Sequence, residues 1–119
     1  MVMLAKMQVA SLALAQIHAG DYPIASENGT AGAAILFPQV LGRVTASLKL
    51  IPSDPAATDG SQIPVGISCF PAAADGEPIA WFSSGGFDAA EINMGDWTAE
   101  TISVALDRTP LYIIETDPI

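Results

Sequence analysis

The chain has 119 residues, which is enough for one small domain and too few for a two-lobed enzyme with its own cofactor domain. Half of the residues are hydrophobic and only 14% are charged, which favours assembly because a small monomer has little interior in which to bury apolar side chains. Thirteen acidic and four basic residues give a net charge of −9, and this sign of charge argues against direct binding of nucleic acid.

The first 20 residues form an apolar segment that differs from the rest of the chain. They contain no acidic residue, and Lys6 is their only basic residue. The longest uncharged stretch within these 20 residues, residues 7–20, is too short for a membrane span, and its polar residues follow neither helical nor strand periodicity. We therefore expect an apolar N-terminal arm over residues 1–20, whose conformation is set by a partner surface, and a β-rich domain over residues 21–119.

Short apolar runs separated by turn residues make up the chain after residue 20. Tyr22-Pro23-Ile24 is predicted to be extended, because proline fixes its own φ and biases the preceding residue away from helix. Residues 25–34 contain turn-forming asparagine and glycine and are predicted to form a loop. Residues 35–41 and 44–51 are predicted strands, the second because apolar and polar residues alternate, with Gly42-Arg43 as a tight turn between them.

Loops and strands alternate in the second half as well. A turn-rich loop over residues 52–61 precedes an apolar strand at 63–70, and a hairpin-like loop at 71–77 precedes a strand at 78–82. Gly85-Gly86-Phe87 then predicts a bend or a close approach of two backbone segments, because glycine in a strand leaves room for both.

A short helix and a final strand are predicted at the C-terminal end. Asp96 or Thr98 is the predicted N-cap, and Pro110 is predicted to end the helix before a strand at residues 111–114. The buried face of the helix is predicted to comprise Ile102, Ala105 and Leu106. Six or so short strands and one short helix predict a mainly β fold of the α+β class, arranged as a small β-sandwich or barrel-like domain.

Several motifs between residues 40 and 113 resemble a known family in their order and spacing. The family is that of the phage lambda-type head decoration proteins, with a weaker echo at residues 21–24 and no resemblance before Asp21. Gly86 stands where family members often carry an acid, and Pro110 where a glycine is common. The motifs are Val40-Leu41-Gly42-Arg43-Val44-Thr45-Ala46, Asp54, Ala57-Thr58-Asp59-Gly60-Ser61-Gln62, Ile63-Pro64-Val65-Gly66-Ile67, Ser84-Gly85-Gly86-Phe87-Asp88-Ala89-Ala90 and Arg108-Thr109-Pro110-Leu111-Tyr112-Ile113.

The resemblance implies a structural protein without catalytic activity. It implies a β-rich homotrimer that binds the major capsid protein at threefold and quasi-threefold positions on the outer surface of a phage capsid, next to other decoration subunits. Many such copies stiffen the shell and stabilise the DNA-filled head of the virion. The resemblance implies no cofactor, no direct contact with nucleic acid and no contact with a membrane.

Capsid binding is assigned to the arm on physical grounds. Its large apolar side chains would lower solubility if they stayed in water, so we expect the capsid protein and adjacent decoration subunits to cover them. The predicted capsid-binding residues are Leu4, Met7, Val9, Leu12, Leu14, Ile17, Tyr22, Pro23 and Ile24. Structural turns are predicted at Gly42, Asp59, Gly60, Gly66 and Gly85.

Residues with catalytic potential are few. A single cysteine and a single histidine exclude an intrachain disulfide and a zinc site built within one chain from these two residue types. Cys69 is predicted to be a buried, inert thiol rather than a nucleophile, and His18 lies in the unassigned arm. Asp59-Gly60 and Asp75-Gly76 are typical of turns rather than of paired acids for proton transfer. We expect neither catalysis nor a metal site.

A secreted small β-rich binding module is the alternative interpretation. In it the first residues are a signal segment, since Lys6 precedes apolar residues and Ala13-Leu14-Ala15 has the small-x-small form of a cleavage site. Trp81, Trp97 and Tyr112 would then form an exposed ligand patch, whereas in a decoration protein they pack in the core or in a subunit interface.

Overall fold

Six β-strands, one α-helix and one 3₁₀ turn make up the structure, a computed structural model that describes residues 23–114. This confirms the predicted mainly β fold with one short helix. The strands are β1 (Ala25–Thr30), β2 (Val40–Arg43), β3 (Leu50–Pro52), β4 (Pro64–Ser68), β5 (Pro78–Asp88) and β6 (Leu111–Ile114), the helix is α1 (Ala99–Ala105), and the 3₁₀ turn is Ala89–Glu91.

Five of the strands form an antiparallel sheet that curls back on itself. The strand order is β1-β5-β4-β2-β3, so β1 and β3 stand at opposite ends of this path. The two ends nevertheless meet, because Ala31 forms a parallel bridge with Leu50 and the Gly32 N–H donates a 2.7 Å hydrogen bond to the Leu50 carbonyl. The sheet therefore has a barrel-like form.

The long strand β5 has two sets of neighbours. Its first part pairs with β1 on one side and with β4 on the other, while its last four residues pair in parallel with β6. Gly85 lies where the partners change and has a φ of +135°, a conformation that glycine adopts far more readily than other residues. Its N–H donates to the Pro110 carbonyl at 3.0 Å, which fixes the beginning of β6.

Two apolar clusters lie on opposite faces of the sheet, because adjacent residues of a strand point to opposite sides. Val40 and Phe82 belong to a cluster with α1 and β6, whereas their neighbours Leu41 and Trp81 belong to a cluster within the curl of the sheet. Central strands covered on both faces carry near-continuous apolar runs instead of alternating ones. This explains the sequence patterns of β2 and β4.

Helix α1 begins at the predicted cap Thr98 and buries the predicted face. The Thr98 hydroxyl accepts a hydrogen bond from the Thr101 N–H, and Thr101 satisfies the Thr98 N–H in return. Ile102 and Leu106 are buried. The prediction that Pro110 ends the helix is wrong, because the helix ends at Ala105 and Leu106, its C-cap, already leaves the helical conformation with a φ of −94° and a ψ of 7°.

The prediction of a loop over residues 25–34 is wrong for its first six residues, which form β1. All six are exposed, and the strand is held by its pairing with β5. Such a strand needs no apolar side chains, because backbone hydrogen bonds to one neighbour define it. Its composition of small and polar residues therefore resembles that of a loop.

The strands predicted at residues 35–41 and 44–51 are much shorter, and the turn between them is misplaced. Gly42-Arg43 lies within β2, and the chain reverses over residues 44–49, where the Leu48 N–H donates to the Val44 carbonyl and Leu48 has a φ of +64°. The alternation of apolar and polar residues is misleading here. Leu48, one of its apolar positions, is exposed to solvent and adopts a left-handed turn conformation. The predicted strand at 111–114 is confirmed, and the strand predicted at 63–70 is present but spans only Pro64–Ser68.

Candidate interaction surfaces

Most of the predicted capsid-binding residues lie outside the described residues. Pro23 and Ile24 lead into β1 and are exposed. The Ser84 hydroxyl donates a 3.0 Å hydrogen bond to the Pro23 carbonyl, which attaches the start of the described chain to β5. The predicted contacts that lie outside residues 23–114 are Leu4, Met7, Val9, Leu12, Leu14, Ile17 and Tyr22.

Several large apolar side chains of the described domain are exposed. Leu36 and Phe70 belong to neighbouring segments, because the Ile35–Ala72 bridge pairs the backbones beside them. Exposed apolar side chains gain most free energy when another surface covers them. The exposed set comprises Ile24, Leu36, Leu48, Ile63, Phe70, Val104 and Tyr112.

Asp59 and Gly60, predicted as a structural turn, lie in a bend that is hydrogen-bonded to the β2–β3 connection. The Asp59 carboxylate accepts hydrogen bonds from the side chain and the backbone N–H of Ser61, and these bonds lower the pKa of Asp59. The Asp59 carbonyl accepts a 2.9 Å bond from the Thr45 N–H. Gly60 has a φ of +107°, and a Cβ there would lie 2.2 Å from the Thr45 hydroxyl.

The other glycines predicted as turns lie within strands, so that part of the prediction is wrong. Gly42 is in β2, Gly66 in β4 and Gly85 in β5. Gly42 allows a close approach of two backbones, since a Cβ there would lie 2.1 Å from the Ser61 carbonyl oxygen. Ser53 donates its hydroxyl to the same oxygen at 2.6 Å, so the loop is fixed against β2 at this point.

Cys69 has the properties of an unreactive thiol. It is half-buried beside the cluster that contains α1, and burial raises its pKa to about 11. At neutral pH the thiol is protonated, whereas the thiolate is the nucleophilic form.

The three aromatic residues do not form a common exposed patch. Trp81 is 1% exposed and belongs to the core. Trp97 is half-buried, and its indole N–H donates to the Ser53 hydroxyl at 3.1 Å. Tyr112 alone is largely exposed. This burial contradicts the ligand patch on which the alternative interpretation depended.

A polar groove with two basic residues escaped the sequence analysis. Arg43 and Lys49 flank the β2–β3 turn, and the groove between this turn and β1 has a volume of about 450 Å³. The only signal in the sequence was that two of the four basic residues lie six positions apart. Their proximity to β1 depends on the closure of the sheet between Ala31 and Leu50.

Between residues 23 and 114, no three His, Cys, Asp or Glu side chains lie together as metal ligands would. In the same range, no helix has both the length and the apolar character needed to cross a membrane.

Comparison with known families identifies a match over most of the chain. The family profile of bacteriophage lambda head decoration protein D matches residues 5–109. The match begins at residue 5, so the expectation that the residues before Asp21 lie outside the family is wrong. A comparison with curated proteins finds no match. Because the matched range covers most of the 119 residues, the chain belongs to the bacteriophage lambda head decoration protein D family.

Proposed function

We propose that this protein binds the phage head as a homotrimer and stabilises the shell around its packaged DNA. The family match over residues 5–109 carries the proposal, since head decoration proteins are structural proteins on the outer surface of the phage capsid in the virion. The trimer, its contacts with the major capsid protein and its contacts with neighbouring decoration subunits are the proposed parts. This role requires neither a catalytic step nor a cofactor.

Electrostatics favour apolar contacts between the subunits. Three chains of charge −9 give −27 for a trimer, so charged faces would repel each other on close approach. An interface that excludes acidic side chains and covers apolar ones avoids this cost. Leu36 and Phe70 supply exposed apolar surface of the required kind on neighbouring segments of the domain.

The arm is the proposed contact with the capsid protein. It contains only one charged residue among its 20. The described chain begins at Pro23 and Ile24, which are exposed and lie next to β5. A segment of this composition gains both apolar burial and backbone hydrogen bonds when it adds to a strand of another protein. Because this contact is repeated at every lattice site, many contacts of modest affinity together stiffen the shell.

Binding to undecorated capsids tests the proposal. Purified protein is mixed with expanded capsids that lack it, the capsids are sedimented, and the bound protein is quantified. We expect saturable co-sedimentation at three copies per threefold site, together with greater resistance of the capsids to heating. Mass photometry of protein released from the capsids should give the mass of a trimer. Isolated monomers at the lattice sites would contradict the trimer, and the absence of co-sedimentation would contradict capsid binding.

A further inference from the structure

The groove beside the closure of the sheet has the composition of a peptide-binding site. It lies between the last residues of β1 and the β2–β3 turn, next to the point where Ala31 and Leu50 bridge the two ends of the sheet. Its lining combines backbone, hydroxyl, amide and cationic groups with two leucine side chains and one indole ring. The lining residues are Asn28, Gly29, Thr30, Arg43, Ser47, Leu48, Lys49, Leu50 and Trp81.

One wall of the groove is the outer edge of β1. The Ala80 carbonyl accepts a hydrogen bond from the Cys69 N–H, so the backbone of Ala80 is directed away from β1. Asn28 is the β1 partner of Ala80 in the register, and the pair is therefore a non-hydrogen-bonded one. The N–H and carbonyl of Asn28 consequently point away from β5, on the side where another strand could pair.

The opposite wall carries two cations with accessible charge. The guanidinium of Arg43 lies over the ring of Trp81, 5.4 Å from the ring centroid, and no carboxylate of residues 23–114 is within ion-pair distance of it. Lys49 forms an ion pair with Asp75 at 2.9 Å, with side chains 38% and 63% exposed. An exposed pair of this kind is weak, so Lys49 can exchange Asp75 for another carboxylate.

The charge of the groove is unusual for this molecule. Residues 23–114 contain ten acidic and three basic side chains, and two of those three line this one groove. An acidic ligand therefore meets two of the three cations of the described domain here, whereas ten of the thirteen charged side chains of residues 23–114 are acidic.

We propose that the groove binds an extended, acidic peptide segment of a partner protein. The segment adds to β1 at Asn28 through its backbone, and carboxylates at alternate positions contact Arg43 and Lys49. The planar guanidinium held on the Trp81 ring presents its N–H groups in the geometry that a carboxylate accepts. Backbone pairing gives the affinity and the two cations give the preference for acidic side chains.

A second copy of this chain fits the groove less well. The described strands contain only two acidic residues, Glu27 and Asp88, and each lies in a strand that already pairs with β5 or β6. The described part of a second copy therefore offers no unpaired extended segment with two carboxylates. On this ground none of the described segments of a second copy is the proposed occupant.

Titration with two matched peptides tests the proposal on the full chain. The probes are an acetylated, amidated Thr-Glu-Val-Glu-Val-Thr peptide and its counterpart with both glutamates replaced by glutamine. Binding is measured from the amide chemical shifts of the protein at low salt. We expect shifts at Asn28 and around Arg43, with the acidic peptide binding about tenfold more tightly, and salt should weaken it. Equal binding of the two peptides, shifts confined to other surfaces, or no shift up to about 10 mM peptide would overturn the proposal.

Three charge-neutralising variants test which basic residues cause the preference for the acidic peptide. Arg43→Gln and Lys49→Gln should each reduce the preference for the acidic peptide, whereas Arg108→Gln, which removes the same charge outside the groove, should leave it unchanged. Because Arg43 packs on Trp81, thermal melts accompany each variant, and Lys49→Gln keeps the test decisive if Arg43→Gln unfolds. Tighter binding of an anionic oligosaccharide than of the peptide would overturn the proposal that the ligand pairs with β1. Chemical shifts at Asn28 and around Arg43 that depend on protein concentration in the absence of peptide would show self-association and would overturn it as well.

Discussion

Gly66 in β4 lies directly against the ring of Trp81 in β5. A Cβ at residue 66 would be 2.3 Å from Cδ1 of Trp81 and 2.4 Å from the carbonyl oxygen of Phe82. Trp81 is the largest fully buried side chain in the described domain. The absence of a side chain at residue 66 therefore determines how the indole sits between β4 and the interior of the curled sheet.

Gly66→Ala should destabilise the domain by about 2 kcal/mol or more, because backbone and a buried ring would both have to move to admit one methyl group. Chemical denaturation followed by tryptophan fluorescence measures the loss. Ala in place of Gly32 is the comparison, since a Cβ at Gly32 meets only the side chains of Ile51 and Lys49, at 3.0 Å. A Gly66→Ala variant as stable as Gly32→Ala would show that β4 and β5 can separate without cost.

Substitutions at Gly60 and Gly76 distinguish the cost of backbone strain from the cost of a steric clash. Both have a positive φ, +107° and +93°, but a Cβ at Gly60 would lie 2.2 Å from the Thr45 hydroxyl, whereas one at Gly76 would have nothing within 4 Å. Gly76→Ala should cost about 1 kcal/mol for the left-handed backbone alone. Gly60→Ala should cost about 1–3 kcal/mol more, because the loop would have to move away from the β2–β3 turn.

Equilibrium unfolding of the two variants in parallel measures this difference. Equal free energies of unfolding would mean that the loop around Asp59 shifts freely, and that its contact with Thr45 contributes nothing to stability.

The sequence predicted the elements that are defined by local chemistry. Thr98 is a candidate cap because its hydroxyl can satisfy the free N–H groups of a helix start. The turn at Asp59-Gly60 was predicted because few other residues adopt its backbone conformation. These features depend on residues within a few positions of each other.

Features that depend on distant segments could not be predicted in the same way. Strand β1 is held by its pairing with β5, some 50 residues later, and its own side chains are exposed. The groove requires Arg43 and Trp81 to meet through the closure of the sheet at Ala31 and Leu50. Neither arrangement leaves a periodic pattern in the segment concerned, because periodicity reports burial and not pairing.

Cys69 makes stability depend on pH in the alkaline range. Its folded pKa of about 11 exceeds the value of 9.0 for a free thiol. The unfolded chain therefore loses this proton first, and the contribution of Cys69 is fully present below pH 9 and is lost as the pH rises from 9 to 11. The free energy of unfolding should fall more steeply over this range in the natural protein than in a Cys69→Ala variant.

Thiol chemistry gives a second measurement of the same property. At pH 8 the folded protein should react with a thiol reagent about a hundredfold more slowly than the unfolded protein, because its thiolate fraction is smaller by that factor. Similar rates in the two states, or parallel pH profiles for Cys69→Ala and the natural protein, would show that the thiol is not held in its protonated form by burial.

The arm should determine attachment to the capsid and not the stability of the domain. Deletion of residues 1–20 is expected to leave a cooperative melt at an unchanged temperature, because the two apolar clusters of the described domain lie entirely between residues 31 and 113. Retention on undecorated capsids should fall strongly, since the deletion removes a 20-residue apolar segment with a single charged side chain. Thermal melts and capsid sedimentation measure the two effects separately.

A full-length variant with Leu12, Leu14 and Ile17 replaced by serine distinguishes two kinds of arm contact. If side-chain burial holds the arm, this variant should bind about as weakly as the deletion. If backbone pairing with a strand of the shell protein holds it, the variant should retain much of its binding, because serine leaves the backbone hydrogen bonds intact. Truncated protein that binds capsids as tightly as the full chain would show that residues 21–119 make the attachment alone, and the proposed role of the arm would be wrong.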